Sequence, residues 1–137
     1  MNTTTRRKFL KNTALASVAT SSAFAGTETK AAKELFVHHV YFWLKNPGNE
    51  ADKAKLIEGL EGLTKIKEIK MVHIGVPAST NRSVIERGYA VSWLLFFDSL
   101  EEEEIYQKHP VHLKFVENYA HLWEKVIVYD SIGAKRS

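Results

Sequence analysis

The chain has 137 residues, 45% of them hydrophobic, and a formal net charge of +3. That length suits a single domain. It contains no cysteine, which excludes disulfides, thiolate zinc sites, iron–sulfur clusters and thiol nucleophiles.

Residues 1–25 read as an export leader of the twin-arginine type. Arg6 and Arg7 precede Lys8-Phe9-Leu10, a weakly apolar run follows, and Ala23-Phe24-Ala25 fits a small-x-small cleavage site. A periplasmic or otherwise exported protein is expected, touching the membrane only through this segment during export. All 16 acidic residues but only 15 of the 19 basic ones lie beyond position 25, so the remainder carries one net negative charge. A domain of that charge has no electrostatic footprint for nucleic acid. Residues 26–34 read as a flexible tether and 35–137 as the domain.

ELFVHHVYFWLK is rich in aromatic and β-branched residues and stops at Asn46-Pro47-Gly48, which predicts a strand and a turn. Leu56, Ile57, Leu60 and Leu63 then recur at helical spacing, predicting an amphipathic helix over 50–64. EIKMVHIGV predicts a second strand ended by Pro77. A polar loop with Arg82 and Arg87 leads to a third strand, YAVSWLLFF. Those two arginines could meet an anion, but a solvated loop is the simpler reading.

Ser99 and Glu102 fit a capping box, so a helix opens there. Glu101 to Glu104 read as helix-start charge, favourable at the positive end of the helix dipole. Pro110 restarts a helix expected to reach Trp123, and KVIVYDSI predicts the fourth strand. The order β-α-β-β-α-β predicts an α+β, ferredoxin-like subunit.

Strand one is apolar on both faces. Phe36, Val40, Phe42 and Leu44 lie on one, and Val37, Tyr41 and Trp43 on the other. A single layer of helices covers only one face of a sheet. A large uncovered apolar face marks an interface, so a homodimer joined sheet to sheet is expected.

The candidate chemistry lies in YQKHPVHLKF. His112 shares a helical face with Phe115, Val116, Tyr119 and Trp123. Burial near a helix N-terminus favours its neutral form, able to take or give a proton. His109 precedes proline and belongs at or just outside the helix cap. The phenol of Tyr106, one turn earlier, could donate to a developing oxyanion. On strand one, His38 and His39 point to opposite faces. His109 and His112 with a strand-one ligand could hold a metal, but Pro110 interrupts the spacing, so no metal ligand is assigned. No nucleophile elbow, zincin motif or phosphate-binding glycine loop is present.

HHVYFWLK, HIGVPAST with Arg82, FFDS, the YQKHPVHLKF run and WEKVIVYDS together resemble the stress-responsive dimeric α/β-barrel (Dabb) family, over about residues 35–131. The resemblance implies a ferredoxin-like subunit and a homodimer whose two sheets close a barrel. Some plant members of similar fold are cofactor-free polyketide cyclases. Their site residues match His39, Tyr106 and His112 here, while a further strand-three histidine falls on Val91. No cofactor is expected.

Two functions stand side by side. One is a stress-response or binding module holding a small apolar or carbonyl-containing ligand against Tyr41, Trp93 and Phe115. The other is a cofactor-free lyase, cyclase or isomerase with His112 as base, Tyr106 as oxyanion donor and His39 as positioner. A metal-dependent relative on the same barrel is a third. A hollow of roughly 300 Å³ or more between Tyr106, His112 and His39 is what a typical small ligand would need.

Overall fold

A computed structural model describes residues 33–136. The twin-arginine segment, the cleavage site and most of the tether lie outside the described residues. Lys33 and Glu34, expected to end the tether, already belong to the fold. Lys33 pairs with Asp98 at 2.9 Å and Glu34 opens the first strand.

The elements are β1 (Glu34–Leu44), α1 (Glu50–Leu63), β2 (Met71–Gly75), β3 (Val91–Phe97), α2 (Leu100–Lys108), α3 (Pro110–Tyr119), a 3-10 turn (Ala120–Leu122) and β4 (Trp123–Ala134). The strands form one sheet in the order β2-β3-β1-β4, and every neighbouring pair is antiparallel. This is the ferredoxin-like α+β subunit.

Alternation along β1 divides its residues between two faces. Phe36, His38, Val40, Phe42 and Leu44 are buried under the helices, opposite Phe97, Leu95, Trp93 and Val91 of β3. Leu35, Val37, His39, Tyr41 and Trp43 lie on the other face and are half-buried, as are Leu94 and Phe96. Among the described residues no helix packs over that second face.

Helix α1 starts where Asn49 Oδ1 accepts the Asp52 N–H at 3.0 Å. It buries Leu56, Leu60 and Leu63 completely against the sheet. Each such leucine contributes about 1.5–3 kcal/mol. Gly59 lets α3 approach, since a Cβ there would meet the Tyr119 ring at 2.8 Å. Helix α2 starts at Ser99, whose Oγ accepts the Glu102 N–H at 3.2 Å.

Pro110 splits the second helical segment. Proline has no N–H and drives its predecessor to extended backbone; His109 accordingly sits at φ −64°, ψ 134°. Its Nδ1 accepts the Val111 N–H at 3.1 Å, so His109 caps α3.

Two boundaries differ from the sequence expectation. The second strand begins at Met71, not Glu68, because the Ile69 N–H bonds back to the Ile66 carbonyl in a turn. The last helix stops before Trp123, which pairs with Leu44 at the start of β4, while the Lys45 N–H takes the Leu122 carbonyl.

Candidate functional site

The break at Pro110 brings Tyr106, at the end of α2, against His112, in the first turn of α3. Their ring centroids are 4.6 Å apart. The hollow they border lies between the helices and the sheet and measures about 140 Å³. Its polar side is His38, Tyr106, Gln107 and His112. Its apolar side includes Trp93 and Phe115, and Val126 and Val128 of β4, both solvent-exposed, stand at its open edge.

Each polar group has a defined role in hydrogen bonding. His112 Nδ1 lies 3.0 Å from the Gln107 carbonyl. A carbonyl only accepts, so Nδ1 carries the proton and Nε2 keeps a free lone pair. Burial holds the His112 imidazole below its ordinary pKa, partly offset by that hydrogen bond. It is therefore neutral near pH 7. Tyr106 is almost fully buried, and its Oη accepts the Trp93 Nε1–H at 3.1 Å. Burial pushes its pKa well up, so the phenol keeps its own proton as a donor. His38 Nδ1–H donates to Asp130 Oδ1 at 2.7 Å, which leaves Nε2 as its other ring atom. The His38 and Tyr106 rings meet edge to face, centroids 5.8 Å apart.

The strand-one residue at this hollow is thus His38, not His39. His39 stands on the opposite face of the sheet, stacked on Tyr41 with centroids 4.3 Å apart, and its Nδ1 accepts the Tyr41 O–H at 3.1 Å. Tyr41 likewise faces away from the hollow. It lines a separate open cleft of about 460 Å³ with Trp43, Tyr89 and Tyr129. Of the residues expected to line a ligand site, Trp93 and Phe115 are in the hollow and Tyr41 is not. Val91 is fully buried on the helix side of β3. The stripe expected on the last helix is only partly buried, because Val116 is exposed and Trp123 has passed into the strand.

Sequence reasoning missed Asp130 and Glu103. Asp130 pairs directly with His38 across the β1–β4 ladder. Glu103, read as helix-start charge, turns inward and is buried, and its Oε1 accepts the Gln107 side-chain amide at 2.7 Å. A glutamate at the first turn of a helix carries no signal of which way it faces.

The family model of the stress responsive A/B barrel domain, Dabb, matches residues 36–132. The chain is a member of the Dabb family. Among solved Dabb-like structures, a ferredoxin-like Dabb protein from Mesorhizobium loti is 18% identical, covering 74% of this chain and 99% of its own, with a TM-score of 0.61. Hydroxynitrile lyase from Passiflora edulis is 20% identical, covering 77% and 98%, with a TM-score of 0.62. An Arabidopsis thaliana protein is 24% identical, covering 74% and 98%, also at 0.62. Several neighbours of this Dabb chain are described as dimeric. Among curated proteins none is similar enough in sequence to count as a relative.

Two predictions arise from the site. Tyr106→Phe leaves the buried Trp93 N–H without an acceptor and should lower stability by about 1–3 kcal/mol, measured by urea unfolding. The second concerns pH. The folded His112 has a pKa below the unfolded value of about 6.5, so the unfolded chain binds more protons in acid. Stability should be full above about pH 6.5 and fall as pH drops toward the folded pKa. His112→Asn, which keeps a donor for the Gln107 carbonyl, should flatten part of that fall. His39, also held low by burial, should add to the fall in the same direction.

Proposed function

We propose that this is an exported, homodimeric Dabb protein whose hollow takes a small carbonyl-containing molecule and moves a proton on it. The observation that carries the reading is the pairing of a neutral imidazole and a protonated phenol at one small cavity. His112 Nε2 is free to accept, and the Tyr106 O–H is free to donate. In this reading Nε2 takes a proton from the carbon next to a carbonyl. The C–H electron pair moves to the carbonyl oxygen, and Tyr106 stabilises the resulting enolate. His38, steadied by Asp130, takes the positioning role the resemblance had given to His39. A volume of about 140 Å³ suits a ligand no larger than benzene, which occupies cavities of roughly 150 Å³. That a fold neighbour is a hydroxynitrile lyase is in keeping with lyase-type chemistry on this architecture. Export rests on the Arg6-Arg7 leader and the Ala23-Phe24-Ala25 site.

A second reading is binding without turnover. It is favoured by Val91, where the cyclases carry a further histidine, and by a hollow smaller than a typical ligand site. Proton exchange separates the two. Acetone in D2O should lose its α-proton NMR signal faster with the protein than without it. Saturation transfer from protein to ketone with no exchange would leave only the binding reading. Neither effect would remove the carbonyl ligand altogether.

A further inference from the structure

Behind the hollow, three elements bring three metal-ligating side chains together. They are His38 from β1, Glu103 from α2 and Asp130 from β4. His38 Nδ1 is 2.7 Å from Asp130 Oδ1 and 3.8 Å from Glu103 Oε1. One ligand atom from each lies within 4.8 Å of both others. The His38 and Glu103 side chains are 6% and 9% exposed, whereas that of Asp130 is 45% exposed and opens the cluster to solvent.

The charge of this cluster does not balance. Among the described residues no lysine or arginine lies within 4.0 Å of either carboxylate, and His38 is the one basic side chain that reaches them. A neutral imidazole leaves two negative charges, and an imidazolium still leaves one. Glu103 Oε1 is too far from Nδ1 for a hydrogen bond and is held by the neutral Gln107 amide, which brings no charge, and Asp130 already takes the Nδ1 proton. Buried carboxylates are ordinarily paired or bound to metal. The His38–Glu103 spacing suits the second case, since ligand atoms about 2.0–2.2 Å from a common ion stand roughly 3–4 Å from one another, and the His38–Asp130 pair has to open by a few tenths of an ångström to admit an ion.

We propose that His38, Glu103 and Asp130 form a site for one first-row divalent cation, of the Zn2+ or Mn2+ kind. One imidazole nitrogen with two carboxylates cancels the ion's charge and leaves positions for water. The nitrogen ligand disfavours Mg2+ and Ca2+, which prefer oxygen. On binding, the imidazole takes its other neutral tautomer: the ring proton passes through solvent from Nδ1 to Nε2, Nδ1 donates its lone pair to the metal, and Nε2 changes from acceptor to donor. The site rests on its own three ligands and not on the proton chemistry assigned to His112.

The test uses the full chain, stripped with a chelator and titrated calorimetrically with ZnCl2 or MnCl2. One ion per chain should bind with a dissociation constant in the micromolar range or below, and excess MgCl2 should not compete. Glu103→Gln and Asp130→Asn should each weaken binding by about tenfold or more with unchanged far-UV circular dichroism. His109→Gln should leave it unaltered. In the unmutated chain, Zn2+ should shift the His38 Nδ1 resonance in 15N NMR, a readout that stands even where a variant does not fold. The proposal is wrong if no saturable binding occurs below about 1 mM, if both carboxylate variants keep full affinity, if His109→Gln abolishes binding, or if the His38 resonance does not move.

Discussion

Replacing His112 by alanine should abolish the chemistry of the hollow while leaving the fold in place. The imidazole is anchored at Nδ1 by the Gln107 carbonyl, and only its removal takes the free lone pair away from Tyr106. A positioned general base contributes about 10²–10⁴-fold to proton transfer. Ketone α-proton exchange should therefore fall to the solvent rate in His112→Ala. The side chain is half-buried, and its loss costs packing against Tyr106 and Phe115 and one part-buried hydrogen bond, to the Gln107 carbonyl. Far-UV circular dichroism should match the unmutated protein. Unchanged exchange in the variant would remove His112 from the mechanism. Loss of exchange together with loss of fold would make position 112 structural, and His112→Asn, with its donor to Gln107 intact, then carries the test.

Phe96→Glu should convert a dimer into a monomer. Phe96 stands on the open face, flanked by Val37 on β1 and Met71 on β2. Its backbone pairing is independent of its side chain, so the subunit should still fold. In a sheet-to-sheet dimer the introduced carboxylate would be buried without a partner. Leaving a buried charge unpaired costs several kcal/mol, and every 1.4 kcal/mol is about tenfold in the dissociation constant. A weakening of at least about 100-fold is expected, read as a halving of mass in light scattering at micromolar concentration. An unmutated chain that is monomeric, or a variant that remains dimeric, would place the interface elsewhere. Tyr41 and its cleft with Trp43, Tyr89 and Tyr129 lie on this same face, so the interface reading also accounts for aromatic residues that the hollow does not use.

The contrast between His38 and His39 marks how far residue patterns reach. Alternation alone requires the two to face opposite ways. It cannot say which faces the helices when both faces of the strand are apolar. Phe36, Val40 and Phe42 compete with Val37, Tyr41 and Trp43, and neither set is more hydrophobic in any deciding way. The helices settle it by packing on the even-numbered side. Glu103 is a similar case. A run of four glutamates is a sound reason for a helix start, and Glu101 and Glu102 serve that purpose, Glu102 also taking the Asp98 N–H at 2.9 Å. Glu103 is drawn inward because its turn of α2 lies over His38.

Local rules wrote much of this protein. The order of elements, the cap at Ser99, the break at Pro110 and the doubly apolar strand follow from backbone sterics, local hydrogen bonding and hydrophobic period, which act over a few neighbouring residues. The meeting of His38 with Asp130 spans 92 positions, and that of Trp93 with Tyr106 depends on how a helix lies on a sheet. Contacts of that kind are fixed by strand register and layer packing, where many weak interactions are satisfied at once, so only the folded chain could decide them.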